Sequence, residues 1–183
     1  LLKDAGIPLQ FVFDIIGPTG SRKTSLSKVA FTLFQKDLIP KNIVNFTGTD
    51  RGIELVAEQH RDSIIILDDL SNATNKANLQ KFERLLRQVC DQNGRKRSVD
   101  GGKTLDSVDV QFGVVLTAES YFSELDTSSK LRNVAVFLEK NDINNTLLSA
   151  FQDNQRISIQ QSSSSYLDKY MTLILRYIEH HYE

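Results

Sequence analysis

The chain has 183 residues, of which 40% are hydrophobic and 25% charged, and its formal net charge is −1. That size buries a core as one ordinary domain, and the near-neutral charge excludes a global electrostatic grip on a polyanion, so any nucleic-acid contact must come from a local basic patch. No apolar run approaches the roughly 18 residues of a membrane-spanning helix, and no membrane partner is expected. A single cysteine, Cys90, rules out an internal disulfide and suits a reducing compartment, so the expected location is cytoplasmic. With Met171 the one methionine and Leu1 at the start, the sequence reads as a piece of a larger protein.

In chain order, Leu9 to Ile16 (LQFVFDII) predicts a buried strand, rich in β-branched and aromatic residues and ended by Gly-Pro. Leu26, Val29, Ala30, Leu33 and Phe34 then recur at helical spacing. A break at Pro40 precedes a short strand from Asn42 to Phe46 and a short helix from Gly52 to His60. Ser63 to Leu67 (SIIIL) is a second wholly apolar strand. Leu79, Phe82, Leu85, Leu86 and Val89 define an amphipathic helix ending near Asn93-Gly94. Strands follow at Val110 to Thr117 and Val134 to Leu138; after the polar stretch Ser162 to Ser165, Tyr166, Tyr170, Leu173, Ile174 and Tyr177 make a last helical stripe. Strands apolar on both faces and alternating with helices imply a mainly parallel sheet covered on both sides.

Between the first strand and the first helix stands "IIGPTGSRKTSL". It fits the phosphate-loop pattern G-x-x-x-x-G-K-[ST] at Gly17, Lys23 and Thr24, but has Arg22 where the second glycine belongs. In such a loop, backbone N–H groups surround phosphate at a helix N-terminus. The cradle here would be Gly17, Pro18, Thr19, Gly20, Ser21, Arg22, Lys23, Thr24 and Ser25. Lys23 would reach the terminal phosphates and Thr24 would ligate Mg²⁺, with Arg22 turned outward to solvent. The competing reading is a glycine-rich turn with an incidental lysine.

The strand at Ser63 to Leu67 ends in Asp68-Asp69. The first acid of such a pair holds Mg²⁺, and the second polarises the attacking water. Asp69 is one methylene shorter than the glutamate common at that place. An acidic strand-end turn is the plain alternative, weakened by the phosphate loop one strand–helix–strand upstream.

Arg95, Lys96, Arg97 and Lys103 flank Asp100-Gly101-Gly102, a hairpin signature carrying cations suited to a phosphate backbone. A solvated loop diluted by Asp100, Asp106 and Asp109 explains the same residues equally well. The following strand delivers Thr117 and Glu119 to its C-terminal end, where open α/β sheets bind ligands. Thr117 is either a sensor of the terminal phosphate or a capping threonine.

The order of these segments resembles the P-loop ATPase domains of bacterial and mobile-element proteins, filed as a domain of unknown function and described as helicases or primase-helicases. The resemblance runs from about Phe11 to Leu138, on "GPTGSRKTSL", "GTDRGIELVAEQHRDSIIILDDL", "NGRKRSVDGGKTL" and "FGVVLTAES". More distantly the chain is similar to AAA+ helicases of the MCM type. The resemblance implies a three-layer P-loop NTPase sandwich, AAA+-like, with a core over residues 1–140 and a helical tail or partial lid over 141–183. It implies ATP and Mg²⁺ as cofactors, ATP hydrolysis by Lys23, Asp69, Thr117 and Arg132, and nucleic acid, DNA foremost, as partner. It also implies a homo-oligomeric ring in the full-length protein, with Arg132 completing a neighbouring site. An ordinary surface arginine is the alternative for Arg132; Arg176 is either a lid arginine or part of a packed helix. A nucleotide-binding switch with little turnover and a nucleic-acid packaging ATPase are the competing functions.

Overall fold

The computed structural model describes residues 11–31, 43–59, 64–70, 75–91, 97–99, 103–105, 112–162, 172, 173 and 176. Its framework is a five-stranded sheet with spatial order β2-β3-β6-β1-β7. The strands are β1 (Val12–Ile16), β2 (Ile43–Asn45), β3 (Ile64–Leu70), β6 (Gly113–Ala118) and β7 (Asn133–Phe137). Every pairing within it is parallel. The helices are α1 (Lys23–Phe31), α2 (Asp50–Gln59), α3 (Lys76–Cys90), α4 (Thr127–Leu131) and α5 (Asn145–Ser162). The alternation of buried strands with helices thus produces the expected α/β sandwich.

Side-chain alternation along the strands sorts the two faces. Val12, Ile16, Ile65, Leu67, Leu70, Val114, Leu116 and Ala118 face one main core, which α3 closes with Phe82, Leu85, Leu86 and Val89. Phe82 stacks on Phe122 with ring centroids 5.0 Å apart. Ile15, Ile66, Val115 and Phe31 of α1 are buried outside that cluster and mark the second face, where α1 packs on β1, β3 and β6. The order and parallel sense bring the C-terminal ends of β1, β3 and β6 together at one edge, the edge where such sheets bind ligands.

The structure adjusts several sequence expectations. β3 runs on to Leu70, through both aspartates. α3 ends at Cys90, where the N–H of Asp91 closes the last turn on the Arg87 carbonyl at 2.9 Å; Asn93-Gly94 lie outside the described residues. The basic turn is flanked by an antiparallel ladder, β4 (Arg97–Val99) with β5 (Lys103–Leu105), which pairs Val99 with Lys103. Arg95, Lys96 and the turn itself, like most of the tyrosine-rich tail stripe, lie outside the described residues. Helix α5 lies within the 141–183 segment expected to be a helical tail, but its bounds carry no apolar stripe like the one at Tyr166 to Tyr177, and Ser162, read as a polar break, is its last residue. The reason is its buried face: Gln155 and Ser158 are 1% and 4% exposed, while Leu147 and Ile157 are 68% and 46% exposed. A helix that buries polar residues leaves no apolar periodicity to read.

Candidate functional site

Gly17 follows β1 directly, and its N–H donates to the Ala118 carbonyl at the end of β6 (3.0 Å). Only glycine fits there: an added Cβ would lie 2.4 Å from the Leu138 carbonyl oxygen and 2.8 Å from Ser21 Oγ. Gly20 turns the loop at φ +87°, a conformation open to glycine at no steric cost. Lys23 is the first residue of α1, and its Nζ folds back onto the carbonyls of Gly17 (2.6 Å) and Pro18 (3.1 Å). The loop therefore holds its own cation over its concave side.

Arg22 is the departure. Its φ is +65°, a left-handed backbone that costs a side-chain-bearing residue about 1–2 kcal/mol. The missing glycine thus corresponds to a conformation. The side chain is exposed and also tied: Nε donates to Asn145 Oδ1 at the start of α5 (2.9 Å). Asn145 carried no signal in the sequence.

The second half of the site depends on β3. Leu67 faces the main core, so alternation turns Asp68 to the α1 face, where Thr24 and Thr117 stand. Thr24 Oγ1 donates to Asp68 Oδ1 at 2.8 Å, and Thr117 Oγ1 donates to the same oxygen. β3 then carries one extra residue: Leu67 pairs with Leu116 but Leu70 with Ala118. This bulge, with Asp69 at φ +65°, turns the Asp69 side chain outward and returns Leu70 to the core. The Asp69 N–H donates to Thr117 Oγ1 (3.3 Å), so one hydroxyl joins both aspartates. Across the opening, Thr19 Oγ1 donates to Glu119 Oε1.

These groups enclose a cleft of about 290 Å³ lined by the loop (Thr19, Gly20, Arg22, Lys23, Thr24 and Ser25) and by Asp69, Leu70, Thr117, Ala118 and Glu119. The Thr24–Asp68 separation of 2.8 Å matches the edge of a magnesium octahedron, about 2.9 Å for 2.0–2.1 Å bonds. No group of three or more acidic, histidine or cysteine ligands occurs among the described residues. The pair therefore suits a cation that takes a hydroxyl and a carboxylate and completes its shell with phosphate and water, as Mg²⁺ does.

Arg132 lies elsewhere. Its carbonyl accepts from the Val12 N–H (2.8 Å) at the start of β1, the sheet edge opposite the loop, and its guanidinium pairs with Asp91 (2.9 Å). Glu54 pairs with Arg51 on α2 (3.6 Å) and does not line the cleft; Arg176 is an exposed helical residue.

The sequence matches the profile of a domain of unknown function, DUF927, over residues 1–107. The chain belongs to the DUF927 family. The DUF927 match spans the phosphate loop, the acid-ended strand and the basic ladder, while β6, β7 and α5 lie beyond it. No curated protein matches the chain. Among solved structures, it resembles "SCCmec type IV Cch", titled an active helicase, at a TM-score of 0.62 and 15% identity, over 97% of this chain and 31% of that one. The JCV helicase bound to a thiazolopyridine acetamide compound aligns at 0.50 and 14% identity, over 93% and 45%. The apo A form of the NrS-1 C-terminal region aligns at 0.50 and 11% identity, over 80% and 34%. This DUF927 chain therefore has a fold shared with helicases, and it spans less than half the length of each of these proteins. No helix among its described residues is long and apolar enough to cross a membrane.

Proposed function

We propose that this domain binds ATP with Mg²⁺ and hydrolyses it, as the motor of a helicase-like or nucleic-acid-remodelling protein. The observation that carries the proposal is the convergence of Lys23, Thr24, Asp69 and Thr117 on one cleft, with Asp68 bonded to Thr24 and Thr117 beside it, from three separate segments of chain. Lys23 would leave the Gly17 and Pro18 carbonyls for the β and γ phosphates, and the loop N–H groups would hold the phosphate oxygens. Bound Mg²⁺ would supply charge neutralisation on those oxygens, with Thr24 and Asp68 holding it. Asp69, pushed into the cleft by the bulge, would orient the attacking water and accept its proton. Thr117 would hold both aspartates in register.

Lys23→Ala tests this reading. Nucleotide binding followed by calorimetry should be lost while thermal melting stays within a few degrees of the parent, because Lys23 faces the cleft. Unchanged ATP affinity would remove the proposal.

A second reading, a nucleotide-dependent switch with little turnover, draws on the two left-handed residues at the site, Arg22 and Asp69. ATP turnover measured with and without single-stranded DNA on the full-length protein separates the two. Nucleic acid as partner rests on the β4–β5 ladder with Arg97 and Lys103, and a ring assembly on Arg132 acting in a neighbouring subunit.

A further inference from the structure

Arg22 differs in its partner from five other arginines among the described residues. Arg51, Arg84, Arg87, Arg132 and Arg156 each pair with a carboxylate. Arg22 is held instead by a neutral amide, Asn145 Oδ1, through Nε alone. A carboxylate would cancel its charge; an amide fixes the direction of the guanidinium and leaves the charge in place. The Nη1 and Nη2 donors have no partner among the described residues, and they form the planar fork that fits two phosphate oxygens at once.

The charge of the cleft supplies the need. Its lining contains two cations, Lys23 and Arg22, and two carboxylates, Asp69 and Glu119, with Asp68 directly behind Thr117. A polyphosphate entering past these acids with Lys23 alone would meet a net negative surface. Asn145 is also well placed to aim a side chain here, since the segment leading to it begins at Leu138. The carbonyl of Leu138 abuts Gly17, and its N–H donates to the Ile16 carbonyl at 2.7 Å. One stretch of chain thus braces the start of the phosphate loop and holds the arginine near its end.

We propose that Arg22 is a second phosphate-binding cation of the cleft, aimed by Asn145, and that its left-handed backbone is retained for that contact. The proposal rests on the nucleotide-binding reading above. It predicts opposite signs for stability and affinity, which a residue that is only tolerated does not produce.

The test measures MgADP and MgATP affinity by calorimetry and nucleotide-free melting for the intact protein and three variants. Arg22→Gly releases the backbone strain, so it should melt higher by roughly 2–4 °C and bind nucleotide about tenfold or more weakly. Arg22→Gln keeps the backbone strained and removes the charge, so it should lose affinity to the same extent without the gain in melting temperature. Asn145→Ala should weaken binding by about threefold with little change in melting. Affinity equal to or tighter than the parent in Arg22→Gly and Arg22→Gln overturns the proposal. If Lys23→Ala abolishes binding in the same series, the phosphate-loop reading survives that failure; if Lys23→Ala binds as the parent does, both fall together.

Discussion

The carboxylate of Asp14 is buried in the middle of β1, 1% exposed, with the Asn133 side-chain amide donating to its Oδ2 at 2.9 Å. Among the described residues, no partner reaches its Oδ1. A buried carboxylate with one hydrogen bond is poorly solvated as an anion. Burial accordingly pushes its pKa from the ordinary 3.8 to about 7, against a smaller lowering by Asn133.

That shift makes stability depend on pH with a definite sign. Between about pH 4 and pH 7 the folded protein holds a proton that the unfolded chain releases. The Asp14 contribution is therefore full below pH 4 and is lost as pH rises through 7. About three pH units correspond to roughly 4 kcal/mol. Asp126 works in the other direction: the Ser129 backbone N–H holds its pKa down, so its contribution is lost on acidification. Asp14→Asn keeps the acceptor for Asn133 and cannot ionise. Its melting temperature should exceed the parent's at pH 8, and the two should converge towards pH 4. A constant offset across that range would show that Asp14 does not titrate within it.

Asp69→Asn should retain nucleotide affinity and lose turnover by about a hundredfold or more, since it keeps the side-chain shape and removes the proton acceptor. Asparagine also tolerates the left-handed backbone of this position, so the bulge should survive. Single-turnover hydrolysis at the parent's rate would move the water-polarising role to Glu119, the other carboxylate lining the cleft.

Arg132 stands at the sheet edge remote from the phosphate loop, so any part it takes in hydrolysis must lie across a subunit boundary. Arg132→Ala alone should cost the fold under about 1 kcal/mol, the scale of its exposed pair with Asp91. Mixed with Lys23→Ala subunits of the full-length protein, it should recover part of the activity that neither variant has alone. Failure to recover it, in material verified as mixed assemblies, would argue against a shared site.

The basic ladder is testable apart from ATP. If Arg95, Lys96, Arg97 and Lys103 all contact single-stranded phosphates, log affinity should fall against log salt with a slope of about −3, at ~0.7 per contact. Replacing Arg95 and Arg97 by alanine should shallow the slope by roughly 1.4 and leave ATP affinity unchanged. An unaltered slope and affinity would make the segment a solvated turn.

Much of the sandwich was legible because its strands are apolar on both faces and its motifs are local. Gly17, Lys23 and Thr24 sit within eight residues, and Asp68 ends an apolar run. What escaped was whatever depends on backbone conformation or on distant partners. The pattern showed Arg22 as a wrong residue type, but its left-handed φ, and the amide that holds it 123 residues away, have no local signature. Nothing in "LDDL" announces a bulge, and without one Asp69 would alternate towards the core and Leu70 away from it. The bounds of helix α5 within the helical tail were not legible because its buried positions include glutamine and serine.

The order of strands has a consequence for how this chain comes to fold. β1, which carries the phosphate loop, takes both of its neighbours from late sequence: β6, at residues 113–118, and β7, at residues 133–137. The family match ends at residue 107, before either of them. A polypeptide stopped there would hold β2 beside β3 while β1 had no hydrogen-bonded strand on either side. The segment matched by the family profile is thus shorter than the unit that completes the sheet, and loop closures spanning about a hundred residues must precede that completion. High contact order of this kind slows folding, and during synthesis the nucleotide cradle would be among the last features to become rigid.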